Sequence, residues 1–354
     1  MVRQSRGLLT TYDHPDKGPA GGPLATDVAR FGPADAPRVL MLICGTHGVE
    51  GLAGSGCILD WLTSNALAPA EGGIATVLVH ALNPFGMAWR QRQTEENIDL
   101  NRNFGDFGAG AVPSRQLYDD VHNALVRAQP ATADWDDAAA ELCAVRARLG
   151  DDAYYAAVMG GQDAHPDGLF FSGRGPSWAR RTLLQLIADH AGAARQLAVV
   201  DFHTGLGPYG FGILGAADRP GSGGLGRAHS WFGTENVRPI ESLIDNRSAT
   251  AAADRPMGDL GTGLQTALPH VELTCVALEY GTYDRERLIN VYRANCWMQK
   301  YGSRVDSVGD RIAAEFEAFF YPREARWQAM VLARAREVTR KALVGLLASG
   351  GSTR

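Results

Sequence analysis

Four short apolar runs punctuate the chain, each the length of a buried strand: residues 37–44 (PRVLMLIC), 74–82 (IATVLVHAL), 196–202 (QLAVVDF) and 271–280 (VELTCVALEY). Between and after them the pattern turns helical, at 51–62, at 176–192 with Ser177 near its start and Gly192 just past its end, and at 284–299. A further amphipathic pattern runs from 306 to the C-terminus and is divided by Pro322. Residues 113–161 are rich in Ala, Asp and Arg, with helical periodicity and no strand signal. The turn Asn83-Pro84-Phe85-Gly86 closes the second run, and 219–226 reads as a Gly-rich loop. It lacks the G-x-x-x-x-G-K-[ST] arrangement of a phosphate cradle.

Apolar strands separated by helices predict an α/β fold with a mixed, mostly parallel central sheet flanked by helices on both faces. A chain of 354 residues can bury one large core. We therefore expect a single domain over 1–354, with a helical insertion at 106–170 and C-terminal helices at 302–354. Such sheets gather ligands at the carboxyl ends of their strands.

Composition removes several function classes. The hydrophobic fraction of 45%, the charged fraction of 21% and the net charge of -5 carry no nucleic-acid footprint. Residues 1–23 are polar and rich in Gly and Pro, and no apolar run is long enough to span a bilayer, which predicts a cytoplasmic protein without membrane partners. The five cysteines are scattered and mostly sit in apolar segments, as reduced core thiols do.

The chemistry gathers at the ends of the predicted strands. In His47-Gly48-Val49-Glu50 the outer side chains lie three residues apart on a turn opening into a helix, within reach of one ion. His203, at the end of the third run, adds the third ligand of a His2Glu set, one of the recognised catalytic zinc sites. Glu279, near the end of the fourth run, is then the base. A lone H-x-x-E is weak evidence, and Glu279 alone would more often be a salt-bridge carboxylate. An unpaired carboxylate on an apolar strand is costly, however, which raises the functional reading.

A polar cluster, Arg92-Gln93-Thr94-Glu95-Glu96-Asn97-Ile98-Asp99-Leu100-Asn101-Arg102-Asn103-Phe104, follows the first two strands. Taken with H-x-x-E before it, and with D-F-H-T and L-E-Y at the ends of the later strands, it resembles the zinc carboxypeptidase superfamily. That superfamily includes carboxypeptidase A and the succinylglutamate desuccinylase/aspartoacylase group. The similarity spans residues 38–300 and is strong at these four motifs. It implies one Zn2+ per chain on His47, Glu50 and His203, with Glu279 as general base and acid in Glu-assisted attack of zinc-bound water. It further implies that Asn101 and Arg102 grip a free carboxylate of the substrate, a task suited to the planar arginine fork. Arg92 would polarise the scissile carbonyl, and Asp99 would orient the ring of His47. Asp201 is a candidate for a similar local role.

Two features depart from the family pattern. Tyr209 is the only tyrosine between His203 and Glu279, and it lies too early to serve as the family's substrate-contacting tyrosine. The chain also ends in helices, where the desuccinylase group ends in a small β-rich domain.

The function implied is hydrolysis of an amide next to a free carboxylate. A metallocarboxypeptidase-like peptidase stands first, an N-acyl amino acid deacylase is the alternative, and a non-catalytic carboxylate-binding relative is third. The substrate is a peptide or an N-acyl amino acid with a free carboxylate. A narrow pocket closed by the insertion and the C-terminal helices would favour the deacylase, and an open groove the peptidase. Arg90 reads as structural or as a pocket-rim charge. Histidines 14, 122, 165, 190, 229 and 270 read as surface or core residues, and His80 as a possible pocket-lining residue.

Overall fold

The computed structural model describes residues 7–65, 73–107, 115–218, 223–240, 242–243 and 258–349. An eight-stranded sheet runs through it in the order β1-β2-β4-β3-β5-β8-β6-β7. The strands are β1 (Leu8–Lys17), β2 (Pro23–Phe31), β3 (Arg38–Cys44), β4 (Ile74–His80), β5 (Gln196–Tyr209), β6 (Gly212–Ala216), β7 (Val237–Pro239) and β8 (Glu272–Gly281). The central four, β4-β3-β5-β8, are mutually parallel and coincide with the four apolar runs of the sequence. The antiparallel pairs β1/β2, β2/β4 and β6/β8 make the sheet mixed. The polar reading of residues 1–23 concealed β1, which is mostly exposed along its length and so carries no apolar run.

Alternation along β3 explains the layers. Leu40, Leu42 and Cys44 face helix Gly51–Asn65 and the C-terminal helix Ala325–Ser349, where Trp327, Val331 and Val338 pack on them. Val39, Met41 and Ile43 face the opposite way, onto Leu183, Leu186 and Ile187 of helix Trp178–Ala191 and onto Leu260 and Leu264 of helix Leu260–Ala267. A strand buried on both sides must be apolar at every position, which is why β3 has no polar alternation. Each such side chain, fully buried, stabilises by about 1.5–3 kcal/mol.

A third apolar core lies beyond the sheet. Helices Arg115–Val126, Ala133–Leu149 and Asp151–Met159 pack there against Arg285–Lys300 and Ser307–Phe320 through Tyr118, Val158, Leu288 and Phe316. Val49, in the turn after β3, belongs to the same core. Helix starts carry the expected caps: Ser177 Oγ accepts from Arg180 N, Asp284 from Arg287 N and Asp306 from Gly309 N. In the 219–226 segment, 219–222 lie outside the described residues. From Gly223 the chain is helical rather than looped, through Phe232, because Asp218 Oδ2 accepts from Leu225 N in its first turn. Among the described residues no helix is long and apolar enough to cross a membrane.

Candidate metal centre

β3 ends at Cys44 and the chain turns through His47 and Glu50 into helix Gly51–Asn65. Gly48 makes the turn possible, since a Cβ there would lie 2.0 Å from the carbonyl carbon of Gly86. In that close approach Gly48 N donates to Arg92 O at 3.1 Å and Val49 N to Gln91 O at 3.0 Å. The turn is thus fixed against the segment that carries Arg92. β5 brings in His203, and β8, parallel to it, sets Glu279 in register with His203.

His47, Glu50 and His203 converge. Nδ1 of His203 lies 3.1 Å from Nδ1 of His47 and 3.2 Å from Glu50 Oε2, while His47 Nδ1 lies 3.1 Å from Glu50 Oε1. The other ring nitrogens are held by carboxylates. His47 Nε2 is 3.2 Å from Asp99 Oδ1, and His203 Nε2 is 2.7 Å from Asp201 Oδ2, whose Oδ1 accepts from Thr46 Oγ1 at 2.8 Å. An ionised carboxylate only accepts, so each Nε2 carries the proton and a neutral ring turns an Nδ1 lone pair to the centre. Two lone pairs and a carboxylate crowded together repel one another unless a positive charge sits among them. Burial works to lower the pKa of His203, but Asp201 and Glu50 outweigh it and hold it well above the ordinary imidazole value. A proton or a metal ion satisfies the same demand. Donors 2.0–2.1 Å from a tetrahedral zinc stand roughly 3.3 Å apart, so the observed spacing fits that ion.

The surrounding charges are balanced through Arg92. Its Nη1 donates to Glu50 Oε1 at 2.8 Å and to Tyr292 Oη at 3.0 Å, and its Nε donates to Asp99 Oδ2 at 2.9 Å. Burial would raise the pKa of Asp99, but Arg92 and His47 hold it well below the usual carboxylate range. Glu50 is likewise lowered against its burial by His47, His203 and Arg92. Glu279 behaves in the opposite way. Burial, and then the Glu50 charge, push it up to about 7, while its Oε1 accepts from Leu206 N at 3.1 Å.

Asn101 and Arg102 sit on the short turn Leu100–Arg102, started by Asp99, whose side chain accepts from Asn101 N. Asn101 Oδ1 accepts from Leu260 N at 3.2 Å. Arg102 donates to two neutral carbonyls, Asn101 O at 2.9 Å and Met159 O at 2.7 Å. Its Nε is buried with no hydrogen-bond partner among the described residues. Burial lowers its pKa, with Asp99 pulling the other way. Among the described residues its hydrogen bonds go to carbonyls and none to a carboxylate, although the charges of Asp99 and Asp259 act on it.

His47, His203, Arg92, Asn101, Arg102, Glu279 and Tyr292 line one cavity of about 60 Å³, and Glu50, Asp99 and Asp201 stand behind it. Its walls include Met159 and Phe170 from the 106–170 region, with Leu288, Tyr292 and Phe320 from the helices after β8. His80 is not at the cavity and instead contacts Ser55 Oγ at 2.8 Å. Tyr209 is also absent from the lining, and Arg90 pairs with Asp310 at the surface.

A family model described as "Protein of unknown function (DUF2817)" matches residues 2–334. The chain belongs to the DUF2817 family. No curated protein matches it. Among solved structures, this DUF2817 chain overlaps carboxypeptidase A from Helicoverpa armigera at a TM-score of 0.43 and 14% identity, over 90% of this chain and 70% of that one. Bovine thrombin-activatable fibrinolysis inhibitor, solved with tick carboxypeptidase inhibitor, overlaps at 0.40 and 12% identity, over 90% and 91%. Succinylglutamate desuccinylase from Chromobacterium violaceum overlaps at 0.39 and 15% identity, over 91% and 74%.

The DUF2817 site holds groups that the sequence did not single out. Tyr292 is the clearest, a buried phenol on Arg92. In sequence it is one more apolar position of an amphipathic helix. Thr46, Phe170 and the Leu206 amide were hidden for the same reason, since their roles depend on neighbours distant in the chain.

Proposed function

We propose that this DUF2817 protein is a zinc-dependent hydrolase that cleaves an amide bond next to a free carboxylate. The observation that carries the reading is the convergence of the His47 and His203 Nδ1 atoms and the Glu50 carboxylate, 3.1–3.2 Å apart, beside a Glu279 whose pKa is raised to about 7. Zinc bound there would acidify a water and polarise the substrate carbonyl. Glu279 takes the proton of the attacking water and returns it to the leaving amine, and a base poised near neutral pH suits both transfers. Arg102, with Asn101 beside it, receives the substrate carboxylate, since among the described residues no carboxylate is hydrogen-bonded to its buried guanidinium. Arg92 balances Glu50 and Asp99 and lends its charge to the carbonyl oxygen as that oxygen becomes negative. Asp99 and Asp201 fix the two imidazole rings.

An N-acyl amino acid deacylase is the alternative to the carboxypeptidase-like peptidase that the motifs put first, and in either the cavity of about 60 Å³, lined in part by Met159, Phe170, Leu288 and Phe320, would receive one residue-sized group. The test pairs elemental analysis of the purified protein with a hydrolysis screen of N-acyl amino acids and C-terminally free peptides, using Glu279→Gln as control. Bound zinc and activity lost in the variant support the hydrolase. Failure to retain zinc after it is added back would remove the reading.

A further inference from the structure

We propose that His122, His165 and Asp167 form a second divalent-metal site, suited to Zn2+, which clasps helix Arg115–Val126 to the segment that delivers Phe170 to the cavity. The inference does not rest on the hydrolase reading. Their donor atoms lie within 4.8 Å of one another. His122 Nε2 is 3.3 Å from Asp167 Oδ1, and the His122 and His165 rings stack with centroids 3.9 Å apart at 23°. Asp119 Oδ1 lies 2.6 Å from His165 Nε2, and Tyr301 Oη donates to Asp167 Oδ2 at 2.8 Å.

Three features of this cluster suit a metal better than an ion pair. His122 is buried, at 5% exposure, and among the described residues its Nδ1 has no hydrogen-bond partner. The flanking carboxylate on His165 and the phenol on Asp167 are the outer hydrogen-bonding partners that metal ligands usually have. Two imidazoles and a carboxylate form a donor set that zinc accepts.

The position gives the site a structural consequence. Asn97 Nδ2 donates to Pro166 O and to Gly168 O, both at 2.9 Å, and Leu169 N donates to Tyr118 Oη at 2.6 Å. The next residue, Phe170, lines the cavity beside Arg92. An ion on His165 and Asp167 would therefore hold this wall to the helix that carries His122 and Tyr118.

The test uses the full chain, stripped with a chelator, reloaded with Zn2+ and desalted before elemental analysis, in wild type and in His165→Ala and Asp167→Asn. Both substitutions are at partly exposed positions outside the sheet. Each should lower the zinc content by about one ion per chain relative to wild type. The same comparison in a His47→Ala background isolates this site: about one zinc should remain, disappear with His165→Ala, and raise Tm only while His165 is present. If the wild type binds one ion that His165→Ala removes and His47→Ala does not, the second site stands and the proposed hydrolase site fails. Zinc content unchanged by His165→Ala and Asp167→Asn in both backgrounds would overturn the inference.

Discussion

His203 and Glu279 are register partners on the adjacent parallel strands β5 and β8, so two residues far apart in sequence project side by side at the carboxyl edge of the sheet. Among the described residues, Glu279 is the one carboxylate of the group without an arginine or histidine bonded to it, and it accepts from the Leu206 amide alone. Glu279→Gln keeps the shape and the amide contact but removes the base. Turnover should fall by about 10²–10⁴-fold while the zinc content stays at the wild-type level. Loss of metal together with activity would show that Glu279 acts as a ligand and not as a base.

Asp99 and Asp201 occupy equivalent places behind His47 and His203. Asp201→Asn should weaken zinc binding about 10–100-fold, measured by competition with a chromogenic chelator. Asp99→Asn should do the same and also lower stability, because it leaves the buried Arg92 short of a partner. Breaking a buried pair in this way costs about 3–5 kcal/mol, read as a lower denaturation midpoint. An Asp99→Asn protein as stable as wild type would mean that Glu50 and Tyr292 alone satisfy Arg92.

The acid side of the pH profile reports the same base. Glu279 stands raised to about 7, with burial and then Glu50 as the causes, and it must be ionised to accept a proton. A cation on the three donors favours the ionised form and moves the value down. The kcat/KM of the metal-loaded protein should therefore fall as pH drops through a limb at or below about 7. An acid limb well above neutral would assign the profile to another group.

The parallel core was legible because a strand buried on both faces has to be a continuous apolar run, and β3, β4, β5 and β8 are such runs. His47, Glu50 and His203 were legible because they come just after such runs, and Glu279 because it is a carboxylate near the end of one. β1 was not, since an exposed edge strand has no hydrophobic signature, and β6 and β7 are too short to show one. The stacked pair His122 and His165 were read as surface or core residues, and Tyr292 did not stand out from its helix. Their partners, Arg92 and Asp167 among them, reach them only through the packing of the third core, which no local pattern encodes.

Arg102 offers a test of substrate recognition through a residue that touches no substrate. Gly161 has φ +98°, and a Cβ there would lie 2.6 Å from Cδ of Arg102. Gly161→Ala is therefore strained in its own backbone and pushes the guanidinium from its seat between the carbonyls of Asn101 and Met159. Arg102→Met removes the charge outright. If Arg102 pairs with the substrate carboxylate, a charged hydrogen bond worth about 1.5–3 kcal/mol is lost, and kcat/KM should drop roughly 10- to 100-fold in Arg102→Met. Gly161→Ala should give a smaller loss of the same kind. The loss should appear mainly in KM and should vanish for a carboxamide analogue of the substrate, which offers the guanidinium no anion. Equal losses on carboxylate and carboxamide substrates would assign Arg102 to holding the wall at Met159 and would leave the substrate carboxylate without its receptor.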